Sequence, residues 1–93
     1  MKKTPPPRQA IYDDIDDERE RQDAKWGGKE HDRKHTVSDW ARLIREHTEK
    51  ARDAASSGDI RHARRRLLEV AALSVAGLEV LDRIDAYNED MKA

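Results

Sequence analysis

Apolar residues beyond Val37 recur at helical spacing in two long stretches parted by Ser56, Ser57 and Gly58, and no other feature restricts the fold as strongly. On the first stretch Trp40, Leu43, Ile44, His47, Ala51, Ala54 and Ala55 make one stripe, which predicts an amphipathic helix. Ser38 suits its N-cap, with Asp39 in the first turn and Val37 placed as a hydrophobic staple. Asp59 is placed to cap the second stretch, which runs to about Tyr87 with Ile60, Ala63, Leu67, Ala71, Leu78 and Leu81 on one face. At about 100° per residue Leu73, Ala76 and Val80 fall on the opposite face, so this helix is apolar on two sides. One side is expected to pack within the hairpin and the other, with Ala76 and Val80, to meet a second chain. A connection this short makes the two helices antiparallel neighbours, as in a helical bundle.

A chain of 93 residues has room for one domain and buries a modest core, so a second copy would help it considerably. Charged residues are 42% of the chain and there is no Phe, a composition that only the helical patterning separates from disorder. The fold expected is therefore all-α: a long antiparallel helical hairpin from about Ser38 to Tyr87, plus a short N-terminal helix, assembling into a helical bundle as a homo-oligomer. Residues 1–8, with Pro5, Pro6 and Pro7, read as a flexible Pro-rich arm, and 9–93 as the domain. From Gln9 to about Lys25 a short helix is expected, held by Ile11 and Ile15 with Tyr12 beside them. The acids Asp13, Asp14, Asp16, Asp17 and Glu18 in its first half complement the helix dipole. Trp26, Gly27 and Gly28 break it, and Lys29 to Thr36 reads as a loop.

A formal net charge of -1 gives no global pull toward nucleic acid or a membrane surface, so neither is an expected partner. With no Cys, no apolar run long enough to span a bilayer and no signal-peptide pattern, a cytoplasmic location is expected.

Glu46 and Glu49 form an ExxE pair one helical turn apart, so their side chains are able to converge on one point. That suits a divalent cation, because Mg2+ takes oxygen ligands and bridges carboxylates to substrate phosphates. With Asp53, the same residues equally fit a solvated face off the Trp40 stripe. Glu46 lies 11 residues before Ser57 and Glu69 lies 12 after it. At 1.5 Å per residue both stand about 17 Å from the turn, so an antiparallel hairpin sets them at one height. Glu69 is the only acid between Ile60 and Leu78 and opens the Leu73, Ala76, Val80 face. A carboxylate there needs a metal or a cationic partner, and Arg65 and Arg66 are within a turn of it. Both partners remain open.

These features together resemble the MazG-like all-α nucleoside triphosphate pyrophosphohydrolases, particularly their short bacteriophage members. The segment Glu18, Arg19, Glu20, Arg21, Gln22, then Lys25, Trp26, Gly27, His31, Asp32 and Trp40 is similar to the leader of those proteins, and the likeness spans roughly Ile15 to Leu81. The resemblance implies Mg2+ or Mn2+ held by ExxE followed by ExxD, against a nucleotide hydrolysed to monophosphate and pyrophosphate in the cytoplasm of the host. By position Glu46, Glu49 and Glu69 take the metal places, but Ala72 stands where the family has Asp, and Arg45 where an acid often precedes the ExxE. What is implied is a MazG-like nucleotide-binding protein with an incomplete metal site, for which no catalytic residue is assigned. The alternative is a catalytically inactive helical adaptor or small-molecule sequestering protein on the same fold.

Trp26 beside Gly27 and Gly28 suits stacking on a base, with Lys25 near a phosphate; it equally suits plugging the end of the hairpin core. Arg61, Arg64, Arg65 and Arg66 make a basic patch able to hold phosphates, with Arg65 the candidate ligand, or to pair with the acidic run Asp13 to Glu20. His31, Asp32 and His35 lack the ligand set of a zinc site and read as solvated or capping residues. His47 on the apolar stripe reads as a satisfied core histidine.

Overall fold

A computed structural model describes residues 6–32 and 34–92, and of His31 the backbone alone. Most of the Pro-rich arm and the side chain of His31 therefore lie outside the described residues. Four helices follow one another: α1 (Arg8–Trp26), α2 (Gly28–Asp32), α3 (Val37–Ser56) and α4 (Ile60–Lys92), with no strand among the described residues. None of these helices is long and apolar enough to cross a membrane.

The turn between α1 and α2 follows from its glycines. Gly27 caps α1 with φ 100° while its N–H donates to the Asp23 carbonyl at 2.9 Å, and Gly28 follows with φ 62°. Consecutive left-handed residues reverse the chain at little cost only where no Cβ is present. The segment after Gly28, expected as a loop, begins with the short helix α2. The start of α3 also differs from expectation. Its N-cap is Thr36: the Thr36 hydroxyl accepts from the Asp39 N–H at 3.2 Å and the Asp39 carboxylate accepts from the Thr36 N–H at 2.9 Å. This reciprocal box satisfies two backbone donors, more than Ser38 would by itself, and Val37 becomes the first helical residue. Its backbone partner draws the Asp39 carboxyl below the ordinary range. At the far end Asp59 accepts from the His62 N–H at 3.1 Å, as its position implied.

α3 and α4 form the antiparallel hairpin. Trp40 lies against Gly77 and His47 meets Glu69, so the partners advance in opposite directions at nearly equal steps. The core is small: Trp40, Leu73, Ala76 and Val80 are buried, with Trp26, Leu43 and Ile44 packed around them. Gly77 belongs to this seam, because a Cβ there would stand 3.4 Å from Cγ of the Trp40 ring. That is an ordinary van der Waals distance, so an alanine would also fit against the indole and would relieve the roughly 1 kcal/mol that a helical glycine costs.

The two apolar sides of α4 are used the opposite way round from expectation. Leu73, Ala76 and Val80 are the intrachain core, whereas Leu67, Leu78 and Leu81 stand 58%, 59% and 41% exposed. Trp40 packs on Leu73, Ala76, Gly77 and Val80, a face on which the small residues Ala76 and Gly77 leave room for the indole between Leu73 and Val80. α1 lies on another side of α4 and runs in the same sense, with Asp14 bonded to Arg64 at 2.7 Å and Gln22 reaching the Glu69 carbonyl at 3.5 Å.

Candidate functional site

The buried residues of α1 are Glu18 and Gln22, not Ile11, which is 42% exposed. Ile11, Ile15, Glu18 and Gln22 nevertheless form one helical stripe, at steps of four, three and four residues, and that stripe faces α4. Its upper half carries polar groups into the contact, so each must find a partner there.

Glu18 is 7% exposed and is held by a fork of two bonds from Arg21, 2.9 Å from Nε and 2.8 Å from Nη2, with Gln22 Nε2 at 3.3 Å. The hydrogen bond that Arg21 donates to Glu18 raises the Arg21 pKa, so the guanidinium stays charged. Glu69 is 5% exposed and lies between the helices. Its Oε1 accepts from Arg66 Nη1 at 2.9 Å and meets His47 Nδ1 at 3.3 Å, while Arg21 Nη2 stands 3.5 Å from its Oε2. Burial acts to raise the Glu69 carboxyl, but the hydrogen bond and charge of Arg66, with His47, outweigh it and hold the group below the ordinary glutamate value. Glu18 and Glu69 thus share Arg21, and Arg66 and His47 complete the compensation of Glu69. Gln22 Oε1 is left buried without a donor.

The register expected for the hairpin places Glu46 level with Glu69, yet His47 is the α3 residue that touches it. Height and rotation are separate: Glu46 is turned about 100° from His47, and Glu49 about 160°, toward solvent. Glu46 is 52% exposed and pairs with Arg42 at 3.6 Å, and Glu49 is exposed. Ala72, where the resemblance implies an Asp, has no exposed surface at all. Among the described residues no three or more of His, Asp and Glu are grouped to hold a metal ion. As they stand, the residues at Glu69 do not fit a Mg2+ seat, because the chain's own cations already surround the carboxylate.

The basic patch divides. Arg64 joins the acidic run through Asp14 and Arg66 joins Glu69, which answers which arginine takes that carboxylate. Arg65 is exposed and lines a cleft of about 300 Å3 in which Arg21, Arg64 and Arg65 face Asp14, Asp17 and Glu18. On the other side of α4, Arg66 lines a cleft of about 310 Å3 with Lys50 and His62, and with the carboxylates Asp53 and Asp59. Trp26 is half-buried and packs on the Trp40 cluster, with Lys25 Nζ 5.6 Å from its ring centroid. Arg19, which composition did not single out, joins three elements: it reaches Asp23 at 3.1 Å, Asp32 at 3.4 Å and Glu79 at 3.4 Å with its own side chain 12% exposed.

No family model, no curated protein and no solved structure matches this chain.

Proposed function

We propose that the chain is a MazG-like nucleotide-binding protein that takes the phosphates of a nucleotide onto its arginines and leaves them uncleaved. The observation that carries this reading is the surrounding of Glu69 by Arg66, His47 and Arg21. Where the resemblance implies a divalent cation against phosphate, this chain supplies guanidinium groups, which bind phosphate oxygens in bidentate fashion without a metal. Arg21 and Arg66 each also border an open cleft of about 300 Å3, and Arg65 stands in the first of them. A polyphosphate entering the first cleft meets Arg65, whose side chain is exposed, with Arg21 and Arg64 beside it.

Hydrolysis in this reading lacks its metal set, since Glu46 and Glu49 face away from Glu69 and Ala72 is enclosed. Recognition through phosphates predicts weak discrimination among bases. A panel of nucleoside triphosphates and inorganic tripolyphosphate, followed by thermal shift, tests it. All should raise the melting temperature similarly, and Arg65→Ala should reduce the gain. A gain confined to one base, or none for any, overturns the phosphate reading.

Self-association belongs to the same proposal, through Leu67, Val75, Leu78 and Leu81 of α4. All four are exposed on one side of the helix, where Ser74 is the polar residue among them and Asp82 follows Leu81. Leu78→Asp should yield a monomer that melts as a folded protein; sedimentation showing unmodified protein to be monomeric at micromolar concentration refutes it.

A further inference from the structure

The part of α4 beyond the core borders a second cleft, about 250 Å3, between that helix and α2, lined by Lys29, Val80, Arg83, Ile84 and Tyr87. Val80 and Ile84 are shared with an adjoining smaller cavity of about 60 Å3, to which His35, Trp40 and Leu81 also contribute. The walls are apolar and aromatic, and no acidic side chain lines either space.

Two hydrogen-bond donors here have no acceptor. Trp40 is 5% exposed and its indole Nε1 is buried without a partner. Arg83 Nη2 is likewise buried and unpartnered. Glu79, one helical turn before Arg83, is held by Arg19, as is Asp32. Buried donors left unpaired are uncommon and costly, most of all on a charged guanidinium, and an anionic acceptor relieves that cost.

We propose that this cleft binds a small amphipathic anion, with a flat apolar body against Val80, Ile84 and Tyr87 and one carboxylate, sulfonate or phosphate group on Arg83 and Lys29. The site stands apart from the Glu69 network, Val80 lying 11 residues further along α4, and it holds whether or not the nucleotide reading does. The body explains why the walls are apolar. The anion explains why two cations face a space without a carboxylate.

Naphthalene-2-sulfonate serves as probe, with neutral 2-naphthol and inorganic phosphate as the separated halves. The readout is the indole N–H resonance of Trp40 in 15N-labelled protein, identified by its survival in Trp26→Phe. The sulfonate should move this resonance saturably, binding about tenfold more tightly than 2-naphthol, while phosphate alone should leave it in place. Arg83→Met should weaken sulfonate binding by about tenfold and leave Arg65-dependent nucleotide binding intact. Tyr87→Ala, at a position 63% exposed, should weaken the body contact without disturbing the fold, and it serves where Arg83→Met does not fold. A Trp40 resonance that ignores the sulfonate, equal affinity for 2-naphthol, or unchanged binding in the folded variants overturns the proposal.

Discussion

Replacing Leu73 with Ala is the sharpest test of which face of α4 forms the core. Leu73 has no exposed surface and is the largest side chain buried to that degree. Its surroundings include Trp40, a rigid ring, and the small residues Ala72, Ala76 and Gly77, which have no atoms to move into a void. Buried Leu→Ala changes cost roughly 2–5 kcal/mol, increasing with the cavity that persists, so a value of about 3–4 kcal/mol is expected here. For a domain of this size that lowers the melting temperature by roughly 15–25 °C. Leu78→Ala makes the same chemical change at a position 59% exposed and should stay within about 0.5 kcal/mol in the monomer. Thermal unfolding followed by circular dichroism at several protein concentrations separates the two, because a contribution from association grows with concentration and one from the core does not. If Leu78→Ala at low concentration costs as much as Leu73→Ala, the assignment of the two faces is wrong.

Thr36→Ala breaks one arm of the capping box and should cost about 1 kcal/mol in urea unfolding, whereas Ser38→Ala should be close to neutral; equal effects would return the cap to Ser38. Glu69 has its carboxyl pKa held below the ordinary value, so its contribution to stability is complete above about pH 4.3 and disappears as pH falls through the lowered value. The stability advantage of the unmodified protein over Glu69→Gln should therefore shrink on acidification, and an advantage independent of pH would mean that the carboxylate is not ionised in the fold. Mg2+ at millimolar concentration should leave the melting temperature of the nucleotide-free protein unchanged; a rise that Glu46→Gln or Glu69→Gln removes would restore the metal reading.

The hairpin was legible in the sequence because two amphipathic stretches, a Ser-Ser-Gly turn and the capping Asp59 agree with one another. The height of Glu69 along it was legible too, since rise per residue is nearly constant in a helix. Two things were not. Which apolar side of α4 would face Trp40 depends on how closely the helices approach, and counting large apolar residues favours Leu67, Leu78 and Leu81 over the face of Leu73, Ala76, Gly77 and Val80 on which the indole packs. The second is the role of α1, whose acidic run conceals the continuation of Ile11 and Ile15 into Glu18 and Gln22. Their spacing was the available signal. Buried polar residues escape a search for apolar periodicity, and the partner that makes their burial tolerable, Arg21, sits at a position that reads as solvated. Arg19 escapes for the same reason, its three carboxylates coming from different helices.

Under the proposed function arginine holds the phosphate without a metal, and titration calorimetry with a nucleoside triphosphate, once in EDTA and once with Mg2+, distinguishes the two, with released pyrophosphate measured in the same samples. Saturable binding is expected in EDTA, weakened about tenfold or more by Arg65→Ala as charge-assisted bonds to phosphate are lost, with no pyrophosphate formed under either condition. Binding that requires Mg2+, or pyrophosphate released in its presence and abolished by Glu46→Gln, would contradict it.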